Sequence, residues 1–297
     1  MKRVTGLILI LLLGGTLGAQ QKRIYNDGEI DYAPVEAEFV LSADELSENL
    51  DYIEYTINGG EWNQYTEPIG IVDEGRHFIT YRAGDIAGNS SRENVYTVVI
   101  DSSPPRLSAS AIGAAHMTED ETLYLRSDSA IVLEAADRLS GAAAIFVSTD
   151  NEEFRRYTGP VYFADEGEQS GYAYGVDNVG NRTETFQSTA IVDDTAPAVS
   201  LLPSRPFRTF GGERYSEPGT RILVRANDRL SGVARVEVSV NGQPFRRYTE
   251  PIEVDTSGFY SIRGRAVDHV GNTSRPQEVS FYLGVETPEP SIEPRLE

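Results

Sequence analysis

Cysteine is absent from all 297 residues. That excludes a disulfide framework, a thiolate metal site and a cysteine nucleophile. Histidine occurs 3 times, methionine 2 times and tryptophan once. His77, His116 and His269 form no H-E-x-x-H or H-x-x-x-H pattern and read as scattered strand or surface residues. No G-x-S-x-G elbow, P-loop or dinucleotide fingerprint is present. Positive charge is scarce: 26 Lys+Arg stand against 46 Asp+Glu, a net charge of −20. Such a balance repels nucleic acid and anionic lipid. What the chain does have is 16 Tyr, 27 Gly and an apolar fraction of 39%. This leans towards strands and turns and suffices for several small cores. At roughly 100–150 residues per domain, the length allows two or three domains.

The N-terminus reads as an address. Met1-Lys2-Arg3 is basic, Leu7 to Leu13 is apolar, and Gly14 to Ala19 is built mostly of small residues. That is the order of a secretory signal peptide, and it places the cut after Ala19. The apolar run is shorter than the ~20 residues of a membrane-spanning helix, and no later stretch is long enough. The expected mature chain is exported: periplasmic, outer-membrane-associated or at the cell surface.

The remainder is one unit written three times. Tyr65-Thr66-Glu67-Pro68 recurs as Tyr157-Thr158-Gly159-Pro160 and Tyr248-Thr249-Glu250-Pro251. At the same offsets Asp85-Ile86-Ala87-Gly88-Asn89 recurs as Asp177-Asn178-Val179-Gly180-Asn181 and Asp268-His269-Val270-Gly271-Asn272. A repeat of this length is a domain rather than a solenoid turn. Within it, Phe39-x-Leu41-x-Ala43, Ile131-x-Leu133-x-Ala135 and Ile222-x-Val224-x-Ala226 alternate with period two, the mark of a half-buried strand. A second strand (Ile53, Ile145, Val236) runs into Asn58-Gly59, Asp150-Asn151 and Asn241-Gly242, a hairpin signal. Between the two strands lies an acidic turn, Asp137 to Gly141 and Asp228 to Gly232, with Glu45 to Asn49 in the first unit. Gly141 and Gly232 are expected at positive φ, the conformation that glycine tolerates best.

Short strands with Gly, Asn and Pro turns predict an all-β chain of tandem immunoglobulin-like β-sandwiches. The expected domains are a signal peptide (1–19), an N-terminal segment (20–29), a short first unit (30–102), a second (103–194) and a third (195–285). An acidic, Pro-rich tail (286–297) is expected to be disordered. The first unit is expected to lack a complete first strand. Short Pro-bearing links between units would align them as a rod.

The pattern Ala-x-Asp-x-x-Ser-Gly, alternating strand, Asn-Gly hairpin with aromatic and Tyr, Gly-led strand, Asp-x-x-Gly-Asn resembles the bacterial immunoglobulin-like (Big-type) repeats of exported proteins. It is similar also to the repeat catalogued as an outer-membrane-protein "β-barrel" domain. The resemblance covers about 30–285. It implies a surface or periplasmic module that binds or spaces without catalysis, with protein or glycan partners. The first unit departs from it by lacking the Ser-Gly and the early strand.

Two recurring features are candidates for function. The first is the aromatic pair Trp62/Tyr65, Phe154/Tyr157 and Phe245/Tyr248. It either stacks on a sugar or anchors a protein partner, or one member fills its own core. The second is the carboxylate set Asp85, Asp137, Asp177, Asp228 and Asp268, with Glu45, and with Asp101, Asp193 and Asp194 in the linkers. These residues either cap their own turns or supply oxygens to Ca²⁺. The sequons at Asn89, Asn181 and Asn272 read as turn chemistry. Machinery for catalysis seldom stands in three tandem copies, so the reading is non-catalytic: an adhesion, binding or spacer module. An outer-membrane β-barrel and a carbohydrate-binding accessory protein are the alternatives.

Overall fold

The computed structural model describes residues 7–11, 21–43 and 49–284. The expected cut after Ala19, the turn at Glu45 and the acidic tail lie outside the described residues. Every described regular element is a strand. The chain is all-β, built of tandem immunoglobulin-like β-sandwiches.

The third repeat shows the plan. Ala198–Pro203, Thr220–Asn227 and Ile252–Val254 form a three-stranded sheet in that order. Arg208–Phe210, Glu213–Ser216, Gln277–Leu283, Gly258–Asp268, Val233–Val240 and Arg246–Arg247 form a six-stranded sheet, also in that order. The ladders are antiparallel except where Tyr215 and Ser216 run parallel to Tyr282 and Leu283. Alternation sends Ile222, Val224, Val238, Ile262, Phe281 and Leu283 inward. Each such side chain contributes about 1.5–3 kcal/mol when fully buried.

The other two repeats have the same strand order. In the first, Tyr25–Asn26, Asp31–Ala33, Asn94–Ile100, Gly75–Asp85, Leu50–Ile57 and Asn63–Gln64 make the larger sheet around Phe39, Leu41, Ile79, Val98 and Ile100. In the second, the corresponding strands are Ala115–Met117, Leu123–Leu125, Phe186–Val192, Gly167–Asp177, Ala142–Ser148 and Arg155–Arg156. No sheet among the described residues closes on itself, so the barrel alternative gives way to separate sandwiches.

In the first repeat the place of the opening strand is taken by the segment expected to be removed on export: Leu7–Leu11 pairs antiparallel with Glu38–Ser42, Leu7 opposite Ser42 and Leu11 opposite Glu38. This is the position that Arg106–Ile112 and Ala198–Pro203 hold in their own sheets. The apolar run that reads as an address thus also pairs as a strand. A chain cut after Ala19 keeps the truncated first unit.

The chain divides into two compact units. One comprises 1–110, 132–160 and 170–188; it holds the first sandwich and part of the second repeat. The other comprises 111–131, 161–169 and 189–297; it holds the third sandwich and a smaller cluster of Leu125, Phe163, Ala190 and Val192.

Turn chemistry follows the residues. Asn58 and Gly59 have φ of 53° and 73°, and Asn241 and Gly242 have 50° and 77°. Both central residues are therefore left-handed, as a tight type I′ hairpin requires. Gly141 and Gly232 adopt φ of 81° and 79°, as expected. Just beyond those glycines the ladder slips by one residue, between Ala142 and Ala144 and between Val233 and Arg235. Bulges of this kind re-aim nearby groups.

Candidate functional site

The hairpin aromatics separate into two roles. Tyr157 Oη accepts the Leu133 N–H at 3.1 Å, and Tyr248 Oη accepts the Val224 N–H at 3.1 Å. Tyr65 and Tyr248 pack on the cores of the first and third sandwiches. The tyrosines therefore join the end of the hairpin to the smaller sheet. Trp62, Phe154 and Phe245 instead lie on the outer face of the larger sheet.

There each meets a cross-strand partner from the long strand. Arg82 lies 4.1 Å from the Trp62 ring centroid, and Arg265 lies 4.2 Å from that of Phe245. Glu54 and Glu237 anchor those guanidinium groups at 2.5 Å and 2.7 Å. Arg235 also bonds Glu237, and its two arginine partners hold that carboxyl below the usual range despite some burial. In the second repeat aromatics replace the ion pair. Phe146 stacks on Tyr174 at 5.0 Å, Phe154 lies 4.9 Å from Tyr174, and Arg182 covers Tyr174 at 3.6 Å. Residues 54, 146 and 237, and likewise 82, 174 and 265, are repeat equivalents. They belong to no motif, being single residues on a varied outer face. Their outward position in the period-two alternation opposite Trp62, Phe154 and Phe245 was the available signal.

The carboxylates also separate. Asp101, Asp137 and Asp177 bring one oxygen each within 4.8 Å of one another, and so do Asp193, Asp228 and Asp268. Within each triad the linker aspartate and the Asp-x-x-Gly-Asn aspartate are buried. Each turn aspartate caps its turn through Oδ1: Asp137 accepts from Leu139 and Gly141, Asp177 from Val179 and Asn181. Asp228 and Asp268 repeat this with Leu230, Gly232, Val270 and Asn272. Asp101 Oδ2 and Asp193 Oδ2 accept the N–H of Ser140 and Ser231, both at 2.9 Å. Asn181 and Asn272 donate back to the carbonyls of Asp101 and Asp193 at 2.9 Å and 2.7 Å.

The triads differ in one respect. Asn181 Nδ2 also reaches Asp177 Oδ2 at 2.6 Å, whereas Asp268 Oδ2 is buried without a donor. Burial pushes the Asp177 carboxyl up, the Asp101 charge adds to this, and the Asn181 hydrogen bonds oppose it. Two charges 4.8 Å apart repel by about 3 kcal/mol at an effective dielectric of about 20.

Cations stand near but outside the triads. Lys22 bonds Asn181 Oδ1, and Arg126, bound to Asp128, feels the charges of Asp194 and Asp268. His116 stacks on His269 at 4.4 Å, and His269 Nδ1 lies 2.9 Å from the Ser231 carbonyl. Asp85 joins neither triad; it caps its own turn, and Asn89 hydrogen bonds hold its carboxyl below the usual range. Asp194 is likewise apart, accepting the Ser127 N–H at 3.0 Å.

No family model matches the sequence, and the search of curated proteins finds no match. Among solved structures, the fibronectin(III)-like modules of Clostridium thermocellum CbhA share 15% identity over 64% of this chain and 100% of theirs, with a TM-score of 0.35. A 1.5-MDa bacterial ice-binding adhesin shares 15% identity over 84% and 90%, with a TM-score of 0.34. The Bacteroides ovatus protein SGBP-B, in complex with a mixed-linkage heptasaccharide, shares 11% over 96% and 71%, with a TM-score of 0.21.

Proposed function

We propose that the chain is an exported, non-catalytic protein of the cell envelope whose immunoglobulin-like modules bind a protein or glycan partner. The contact face is the outer surface of the larger sheets. The observation that carries this reading is the hairpin aromatic stacked on the long strand's outward residue at three equivalent places: Trp62 on Arg82, Phe154 on Tyr174 and Phe245 on Arg265. Aromatic and arginine side chains together make rigid, amphipathic contacts that concentrate binding energy. Trp62 keeps 36% of its surface in water, so the platform is not used up by the sandwich's own core.

The test is binding of the purified chain to isolated envelope material and to a panel of polysaccharides, beside a Trp62→Ala/Phe154→Ala/Phe245→Ala variant. The expected result is at least tenfold weaker retention by one of these with an unchanged melting temperature. Equal retention of both proteins would remove the outer face from consideration. Export is checked by N-terminal sequencing of the mature protein, which should begin at Gln20.

A further inference from the structure

We infer that each aspartate triad is a binding site for a hard divalent cation, Ca²⁺ above all. One site is formed by Asp101, Asp137 and Asp177, the other by Asp193, Asp228 and Asp268. The donor set is all oxygen, with no imidazole or thiolate, which selects Ca²⁺ or Mg²⁺ over zinc or copper. Oxygens within 4.8 Å of one another fit around a single ion whose bonds are about 2.4 Å long.

Turn capping alone does not account for the arrangement. A cap needs one oxygen, and Oδ1 of each turn aspartate already supplies it. The second oxygen of Asp268 is buried with no donor in the chain. An ionised oxygen in that position lacks both water and hydrogen bond, a costly state unless a cation faces it. Beside each triad a second group repeats the signature: Ser140 Oγ and Ser231 Oγ are buried and unpartnered, at equivalent positions. No lysine or arginine forms an ion pair with any of the six carboxylates among the described residues. A bulge follows each acidic turn, and Asp137 and Asp228 each place an oxygen within 4.8 Å of the linker aspartate.

The experiment is calorimetric titration of Ca²⁺, and separately Mg²⁺, into the chelator-treated full chain at pH 7, with melting curves in Ca²⁺ and in chelator. Two Ca²⁺ per chain and a higher melting temperature in Ca²⁺ are expected. Asp228→Asn keeps the Oδ1 cap and should bind one Ca²⁺. In chelator it should melt at or above the parent, because a like charge is gone; in Ca²⁺ it should melt below it. Asp137→Asn should give the same pattern at the other site. No heat of Ca²⁺ binding up to millimolar concentration, with identical melting in Ca²⁺ and chelator, would overturn the inference. So would undiminished stoichiometry in the Asp137→Asn/Asp228→Asn double variant, if its melting shows it folded. Tighter Mg²⁺ than Ca²⁺ binding would overturn the assignment to calcium.

Discussion

The first and third repeats share a core plan, an Asn-Gly turn and an outer-face Glu–Arg–aromatic stack, and differ sharply in charge. Phe39, Leu41 and Ile79 in one correspond in role to Ile222, Val224 and Ile262 in the other, all buried. Their surfaces diverge. Residues 30–102 carry 3 arginines against 15 acidic residues, a net −12, while residues 195–285 carry 12 against 9, a net +3. The chain's acidity therefore belongs to its first two repeats, and the repulsion of anionic partners expected from overall charge does not extend to the third. The third repeat opens on a strand that follows its linker, Ala198–Pro203; the first takes that strand from the far N-terminus. Inward positions of the repeated sandwich are constrained together, whereas outward positions away from the Glu54–Arg82 and Glu237–Arg265 pairs, and the junctions, vary copy by copy.

The largest test asks whether the two cores are equivalent. Phe39→Ala and Phe281→Ala should each cost about 3–5 kcal/mol in urea unfolding, since both rings are fully enclosed. A cost below about 1 kcal/mol for either would break the equivalence. Next, a chain beginning at Gln20 lacks Leu7–Leu11. At about 0.5–1.5 kcal/mol net per ladder hydrogen bond, the first sandwich should lose roughly 3 kcal/mol. Amide exchange should then accelerate in Glu38–Ser42 and stay unchanged in Thr220–Asn227. Unchanged protection in both would show that the strand contributes nothing to the first sandwich.

A smaller effect is expected at the tyrosines. Tyr157→Phe and Tyr248→Phe each strand one backbone N–H and should cost about 1–2 kcal/mol in thermal or urea unfolding. The smallest concerns the second hairpin, where Asp150 replaces the Asn58 and Asn241 of its sisters. Hydrogen bonds from Ser148, Glu152 and Glu153 lower its pKa from 3.8 to about 2. A depressed carboxylate pKa stabilises above the unfolded value and is lost as pH falls through the folded one. The parent should therefore out-melt Asp150→Asn above pH 3.8, with the difference vanishing towards pH 2. A pH-independent difference would assign the effect to the turn's shape instead.

Much of this was legible beforehand, and the reasons are local. Period-two alternation at Ile222-x-Val224-x-Ala226 and the Asn-Gly hairpins report short-range geometry, which the neighbours in sequence decide. The turn aspartates were legible for the same reason, although Asp85 was grouped with Asp177 and Asp268 because its motif is the same. What separates them is a buried linker aspartate brought in from outside the turn, Asp101 or Asp193, and such long-range convergence leaves no spacing to read. The Glu54–Arg82 and Phe146–Tyr174 pairs were hidden likewise, by cross-strand register. Leu7–Leu11 was obscured differently: a short apolar run satisfies the rule for an export signal and that for a strand equally.

The linker aspartates set how such a chain counts. Each triad takes one carboxylate from the segment ahead of a repeat and two from inside it, so a sandwich excised at its own borders carries an incomplete set. Three repeats here give two triads among the described residues. Sites thus scale with junctions rather than with domains, like the gaps between posts in a fence, and inserting one whole repeat together with its linker adds one carboxylate set and one platform.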